Sequence, residues 1–310
     1  MSFKANDKVY EIDPGLRDHI KPGWQTMLLP AKDRLGKGMD INSFVPSVYM
    51  AEKTLNEHGE TMVGKQILEA GCNEGARSYL MAKYQDTVVH GIDVDEYTID
   101  QSPDMKVWNP IDAEFMQNKF RNMRASVGSK FPQIMSKVSF ETASISSYMT
   151  PKQYDMIISW DTLEHVIDIQ RAFKNMYDLL KNGGVAYHEY NPFFAINGGH
   201  SLCTLDFLYG HCRLNSQDFD KYVRELRMEE EEIDRNFYHK CLNRATRADI
   251  RKLAEEAGFE VLLFAGRSSF DLHNMMKAVE MVLPEVKELY PTVTLEDLIH
   301  DQVQLVLRKK

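Results

Sequence analysis

The chain has 310 residues, 43% hydrophobic and 27% charged, which is enough to bury a large core as one elaborated domain or as a domain with a cap. Its net charge of −9 weighs against nucleic acid as substrate, because phosphate contacts need clustered Lys and Arg. The only cationic stretch, Arg244–Arg251, is helical and mixed in charge. No apolar run reaches the roughly 18 residues of a membrane span, and the start Met-Ser-Phe-Lys-Ala-Asn-Asp does not read as a signal peptide. Cys72, Cys203, Cys212 and Cys241 lack C-x-x-C spacing, so neither a disulfide framework nor a zinc site is suggested. The expectation is a reduced, cytoplasmic protein without a membrane partner.

Residues 1–40 are punctuated by Pro14, Pro22 and Pro30 and read as a surface extension, with an arm over a ligand or a homo-oligomer contact as the alternatives. Residues 43–58 predict a helix with Phe44, Val48, Met50, Ala51 and Leu55 on a partial apolar face. A strand follows at Gln66–Ala70, then a turn, a helix from Glu74 to Tyr84 and a second strand at Thr87–Ile92. The connection 101–135 is long and predicts one or two added amphipathic helices, carrying Met105, Trp108, Phe115, Met116, Phe120 and Met123. Strand three is Val138–Thr142 and strand four is Tyr154–Ser159, mainly apolar and set between turn signals as a buried parallel strand should be. A helix from Ile169 to Leu180 is expected to stop at Asn182-Gly183-Gly184, before strand five at Val185–Glu189. Thr246–Gly258 predicts a helix capped by Thr246 and Asp249, followed by strand six at Phe259–Phe264 and strand seven at Val303–Leu307. The insertions 193–244 and 266–300 contain helical stretches at Gln217–Tyr238, Asn274–Met281 and Pro284–Leu289, and the run Glu229–Glu232 reads as a solvated face. The alternation of short apolar strands with helices gives an α/β, doubly wound, mainly parallel sheet of seven strands.

The stretch Ile67-Leu68-Glu69-Ala70-Gly71-Cys72-Asn73-Glu74-Gly75 is where a ligand belongs. Gly71 and Gly75 allow a sharp turn and close backbone approach, and Asp93 follows at close to the roughly 20-residue spacing of a ribose-binding acid. A dinucleotide would bring a pyrophosphate beside Glu69 and Glu74 and would use three glycines where Asn73 stands at the middle one. A nucleoside cofactor with an ammonium group fits the charges better, and an NAD-dependent dehydrogenase is the weaker reading.

These residues resemble the first motif of the class I S-adenosylmethionine-dependent methyltransferases. The likeness runs on through Asp93, Tyr154–Ser159, Leu163-Glu164-His165 and Leu180–Gly184. It covers residues 60–190, with a weaker continuation at 245–265 and 302–308; Glu69 and Asn73 depart from the commoner Asp and Gly. It implies an S-adenosylmethionine site made by Glu69, Gly71, Cys72, Asn73, Gly75, Asp93, Val94, Ser144, Ile145, Ser159 and Trp160, with Ser144 where the family usually has an Asp toward the adenine amino group. It further implies a lid helix before the first strand and a last strand that completes an antiparallel sheet edge. The domains expected are an extension and lid over 1–60, the cofactor-binding core over 61–192, a cap over the acceptor site at 193–244, and the rest of the sheet over 245–310.

In an open parallel sheet the ligand sits beyond the carboxyl ends of the strands. Strand four delivers Asp161 and His165 there, and strand five delivers Tyr190 and Asn191. The insertion that follows resembles one found in methyltransferases of glycan and natural-product pathways. Its aromatic residues and glycines surround His200, His211 and Arg213 and suit a small polar acceptor. A hydroxyl acceptor needs a base with a pKa near neutrality, for which His200, His211 and His165 are the candidates. Asp161, Tyr190, Asn191 and Arg213 are expected to bind the acceptor, Arg213 as an anion clamp. No resident metal is expected, although Asp161, His188, Glu189 and His200 are of the right types for one. The sequence thus reads as an O-methyltransferase of a small sugar, nucleotide-linked or phosphorylated metabolite. An N-methyltransferase and a non-catalytic S-adenosylmethionine-binding module are the alternatives.

Overall fold

The computed structural model describes residues 1–5, 7–25, 40–94 and 121–310. The expectations for Pro30, Met105, Trp108, Phe115, Met116 and Phe120 lie outside them. The strands are β1 (Ser2–Ala5), β2 (Lys8–Glu11), β3 (Gln66–Ala70), β4 (Val88–Asp93), β5 (Val138–Thr142), β6 (Tyr154–Trp160), β7 (Leu180–Tyr190), β8 (Phe259–Arg267) and β9 (Gln302–Lys309). Two compact units are formed.

The first unit holds the described residues of Leu35–Tyr190 with Ile250–Ala265 and Gln304–Lys310 and contains a seven-stranded sheet in the order β5-β4-β3-β6-β7-β9-β8. The pairs β3–β4, β3–β6, β4–β5 and β6–β7 are parallel. Strand residues alternate between two covered faces. On one face Ile67, Met156, Ile158, Val185, Tyr187 and Val306 pack with Leu80 and Met81 of the helix Ala76–Tyr84 and with Val48, Ala51 and Leu55 of the helix Val45–Glu57. On the other, His188 meets the Phe173 ring of the helix Ile169–Leu179 at 6.4 Å.

Two strand expectations are corrected. Strand β7 begins at Leu180, directly after the helix, and the glycine pair lies within it rather than between helix and strand. Pairing with β6 slips between Tyr154 and Met156, and Gly183, at φ +76, takes up the irregularity. The final strand β9 is not the edge; it runs between β7 and β8, and β8 is outermost.

The second unit holds the described residues of Met1–Arg34 together with Asn191–Asp249 and Gly266–Val303. The hairpin β1–β2 sets Phe3 edge-on against Tyr222 and stacks Tyr10 on Phe207 with centroids 4.6 Å apart. The helical pattern expected over 217–238 is two helices, Ser216–Leu226 and Glu231–Lys240, with Phe219 stacked on Tyr238. The break falls at Arg227, which is buried and gives hydrogen bonds to the Thr204 carbonyl at 2.8 Å and Asp206 at 2.9 Å. Conversely, the helix Leu272–Leu289 continues past Pro284, with the buried stripe Val279, Val282, Val286 on both sides of it. The predicted cap at Thr246 is present: its amide and hydroxyl donate to Asp249, whose amide donates back at 3.1 Å. Among the described residues no helix is long and apolar enough to cross a membrane.

Candidate active site

The turn after β3 is shaped by three left-handed residues, Gly71 (φ +72), Asn73 (φ +48) and Gly75 (φ +77). Asn is among the few side chains that tolerate this region, which accounts for its standing at a position where glycine is commoner. A Cβ on Gly71 would fall on the Thr162 side chain, and one on Gly75 would fall on the Phe140 ring, so both glycines are sterically required. The Gly71 and Cys72 amides both donate to the Ile92 carbonyl, tying the turn to β4.

Asp93, at the end of β4, accepts hydrogen bonds from the Asn73 amide at 2.6 Å and the Val94 amide at 2.7 Å. These charge-assisted bonds fix the carboxylate at the mouth of the turn. Glu69, at the end of β3, is buried and accepts the Ser78 hydroxyl proton. Burial pushes its carboxyl up to about 8; Ser78 and Arg77 oppose that shift, and Glu74 and Asp93 add to it. From the helix carrying residues 121–129, Arg124 donates from Nε to the Asn73 carbonyl at 2.7 Å and lies 5.2 Å from the Phe140 ring centroid. The Arg77 guanidinium lies near both the Phe44 and the Trp160 rings, and its Nε donates to Ser47. Sequence reasoning missed Arg77, Ser78, Arg124 and Phe140, and brought Thr162 only to the sheet edge. Gly75 alone hinted at Phe140, through the space that it leaves.

The expected side chains at the other strand ends divide. Cys72 receives a contact from Arg124 at 3.6 Å. Ser144 is buried, its Oγ accepting the Ser146 amide at 3.1 Å, so it shapes the turn after β5; Ile145 is buried beside it and its carbonyl takes the Asn175 amide at 2.8 Å. The Ser159 hydroxyl does not face the turn; it is paired at 2.8 Å with His188 Nδ1 on the opposite face of the sheet, and burial pushes that imidazole down to about 3. Trp160 is buried against Tyr187. Asp161, left-handed at φ +50, is exposed and lies 3.8 Å from Arg77. His165 is half-buried, its amide bonded to the Thr162 carbonyl. Glu189 accepts from Tyr187 and Gln304, each at 3.1 Å.

The chain leaves β7 at Tyr190, which is buried, and enters the second unit at Asn191, which is half-buried. There two expectations fail on geometry. His211 is buried, its Nε2 donates to the Phe193 carbonyl at 2.8 Å, and burial pushes its pKa down to about 4, so it is a structural imidazole and not a base. Arg213 is no anion clamp: it gives Nε and Nη2 to Glu285 at 3.0 and 2.9 Å and Nη1 to the Leu208 carbonyl at 2.9 Å. His200 is half-buried, left-handed at φ +53, with its ring 5.8 Å from Phe237.

Residues 43–263 match the family described as "Methyltransferase domain". A ubiquinone biosynthesis O-methyltransferase of Pseudomonas savastanoi is 26% identical over 169 residues, 53% of this chain and 60% of that protein; one from Coxiella burnetii is 24% identical over 53% and 59%. The chain thus spans about 60% of the length of these curated relatives. Among solved structures, the Haemonchus contortus phosphoethanolamine N-methyltransferase 2, in complex with phosphomonomethylethanolamine and S-adenosylhomocysteine, superposes with a TM-score of 0.50 at 14% identity over 85% of this chain and 52% of that one. With the sheet order and the glycine turn, the match places the chain in the methyltransferase-domain family, among the class I S-adenosylmethionine-dependent methyltransferases.

Proposed function

We propose that this protein transfers a methyl group from S-adenosylmethionine to an oxygen of a small polar acceptor. The observation that carries the reading is the charge of the turn: the buried Glu69 and the exposed-edge Asp93 flank a backbone cradle. The Asp93 carboxylate repels a pyrophosphate and suits a ribose, and the buried Glu69 acid suits an ammonium, against which it gives up its proton. The curated relatives carry the O-methyltransferase name, which supports oxygen as the acceptor atom.

When bound, S-adenosylmethionine supplies an electrophilic methyl group on a sulfonium. The protein's own tasks are to hold, orient and shield. Glu69 takes up a cation's charge by losing its proton, and Asp93, held by two amides, accepts from a sugar hydroxyl pair. For a hydroxyl acceptor, His165 and His200 remain the candidate bases now that His211 is committed to Phe193. Asp161, Tyr190 and Asn191 are assigned to the acceptor side, and the cap segment 193–244 to acceptor choice.

The test is calorimetry with S-adenosylmethionine, S-adenosylhomocysteine and NADH, followed by assay of S-adenosylhomocysteine release across a panel of phenol, sugar and amine acceptors. Release with hydroxyl acceptors alone supports the proposal. Release with amines alone moves the function to nitrogen, and binding without release under any acceptor leaves a non-catalytic module. Tight NADH binding would sink the reading.

A further inference from the structure

Arg77 is the second residue of the helix Ala76–Tyr84, next to the Ser78 that holds Glu69. Its Nε donates to Ser47 Oγ at 3.1 Å, on the helix Val45–Glu57. Its guanidinium lies 5.0 Å from the Phe44 ring centroid and 5.1 Å from that of Trp160. Two aromatic rings and one hydroxyl therefore fix its orientation before any ligand arrives. The outer edge of the fork is under-used. Among the described residues neither terminal nitrogen makes a hydrogen bond, and Nη2 stands 3.8 Å from Asp161, beyond hydrogen-bond range. Asp161 is 61% exposed in its side chain, so the pair is weak and easily exchanged.

The charge at this spot also lacks a ligand-side partner. The methionyl end of S-adenosylmethionine is a zwitterion, with an ammonium and a carboxylate on one carbon. Glu69 answers the ammonium. Arg77 lies close enough to Glu69 to draw its carboxyl pKa down against the effect of burial. The other guanidinium at the turn, Arg124, is spent on the Asn73 carbonyl.

We propose that Arg77 receives the methionyl carboxylate of S-adenosylmethionine through its terminal nitrogens, giving up its long contact to Asp161 while Nε stays on Ser47. The proposal rests on reading the turn as the S-adenosylmethionine site. It makes Arg77 both the charge partner of the amino-acid half of the cofactor and the link from that half to the helix Val45–Glu57.

Two ligands separate this role from a structural one: S-adenosylhomocysteine, which carries the carboxylate, and 5′-methylthioadenosine, which lacks the amino-acid head. Calorimetry on the wild type, Arg77→Gln and Arg77→Lys reads the dissociation constant of each. Arg77→Gln should weaken S-adenosylhomocysteine by about 10- to 100-fold, the size of a lost charged hydrogen bond, and change 5′-methylthioadenosine by less than about twofold. Arg77→Lys should fall between wild type and Gln for the first ligand only. An unchanged affinity for S-adenosylhomocysteine, or an equal loss for both ligands, overturns the proposal. Failure of the wild type to bind either ligand overturns the site itself, an outcome distinct from wild-type binding that Arg77→Gln leaves intact.

Discussion

Ser78 donates its hydroxyl proton to Glu69, so the first turn of the Ala76–Tyr84 helix is fastened to the end of β3 by a side chain that points at the proposed ammonium site. Glu69 is held up to about 8 by burial, against an ordinary 4.5, and is therefore protonated in the ligand-free protein at pH 7. A bound ammonium favours the carboxylate, so binding of S-adenosylmethionine at pH 7 should expel close to one proton. Titrations in two buffers of different ionisation enthalpy measure it, and the release should vanish in Glu69→Gln. The linked sign for stability is fixed as well. Between 4.5 and about 8 the folded state holds a proton that the unfolded state has lost, so the contribution of Glu69 to stability should be lost as pH rises through that window, read as the difference between wild type and Glu69→Gln.

The Phe140 ring occupies the space that a Cβ on Gly75 would need, and Gly75 also sits at φ +77. Gly75→Ala should cost about 1–3 kcal/mol in urea unfolding, from the unfavourable φ and the clash together. Adding Phe140→Leu should recover the steric part and leave the φ part, a non-additivity that a double-mutant cycle detects. Additive effects would mean that the ring does not meet position 75.

His211 and His188 are both buried and neutral, pushed down to about 4 and about 3 from an ordinary 6.5. Below 6.5 the unfolded chain gains protons that the folded protein refuses. The contribution of these two imidazoles to stability should therefore fall as pH drops from 6.5 toward 4, opposite in sign to that of Glu69. His188→Phe should flatten that acid limb in a pH series of urea midpoints. His211→Ala should lower stability by about 1–3 kcal/mol through loss of the bond to the Phe193 carbonyl, while leaving S-adenosylhomocysteine affinity unchanged. A loss of turnover without a loss of stability would return His211 to the chemistry.

Arg213 and Glu285 form a half-buried ion pair in which Nε and Nη2 share one carboxylate oxygen. Glu285→Gln should destabilise by about 1–3 kcal/mol because it strands the guanidinium, and Arg213→Met with Glu285→Gln should cost less than the sum of the two single changes. Cofactor affinity should not move in any of the three. A selective fall in affinity for a phosphorylated acceptor would instead restore Arg213 as an anion clamp.

Much of the sheet unit was legible because its signals are local. The strands at Gln66–Ala70 and Val138–Thr142 and the cap at Thr246 were readable from a few adjacent residues. So was the glycine turn with its acid at Asp93. What the sequence hid depends on partners far along the chain. Asn182-Gly183-Gly184 looks like a helix stop until β6 is seen to pair across it, and only tertiary packing decides that. Arg213 looked free because Glu285 is 72 residues away, and His211 looked poised because nothing nearby in sequence announces the Phe193 carbonyl. Ser159 was misread by one pleat: its neighbours face the turn's side of the sheet, and it faces His188. Arg77 was overlooked because a lone arginine early in a helix carries no motif.

The placement of β9 between β7 and β8 bears on how the chain is made. Among the described residues β8 has no neighbour other than β9, so until residues 302–309 are made the flank of β7 is bare and β8 is unattached. An unpaired strand flank is a template for pairing with other chains, so nascent chains stalled before this point are expected to cluster. Closure of the sheet therefore waits on residues 302–309, and Lys309, whose ammonium reaches the Tyr177 and Leu180 carbonyls, then ties the helix and β7 together.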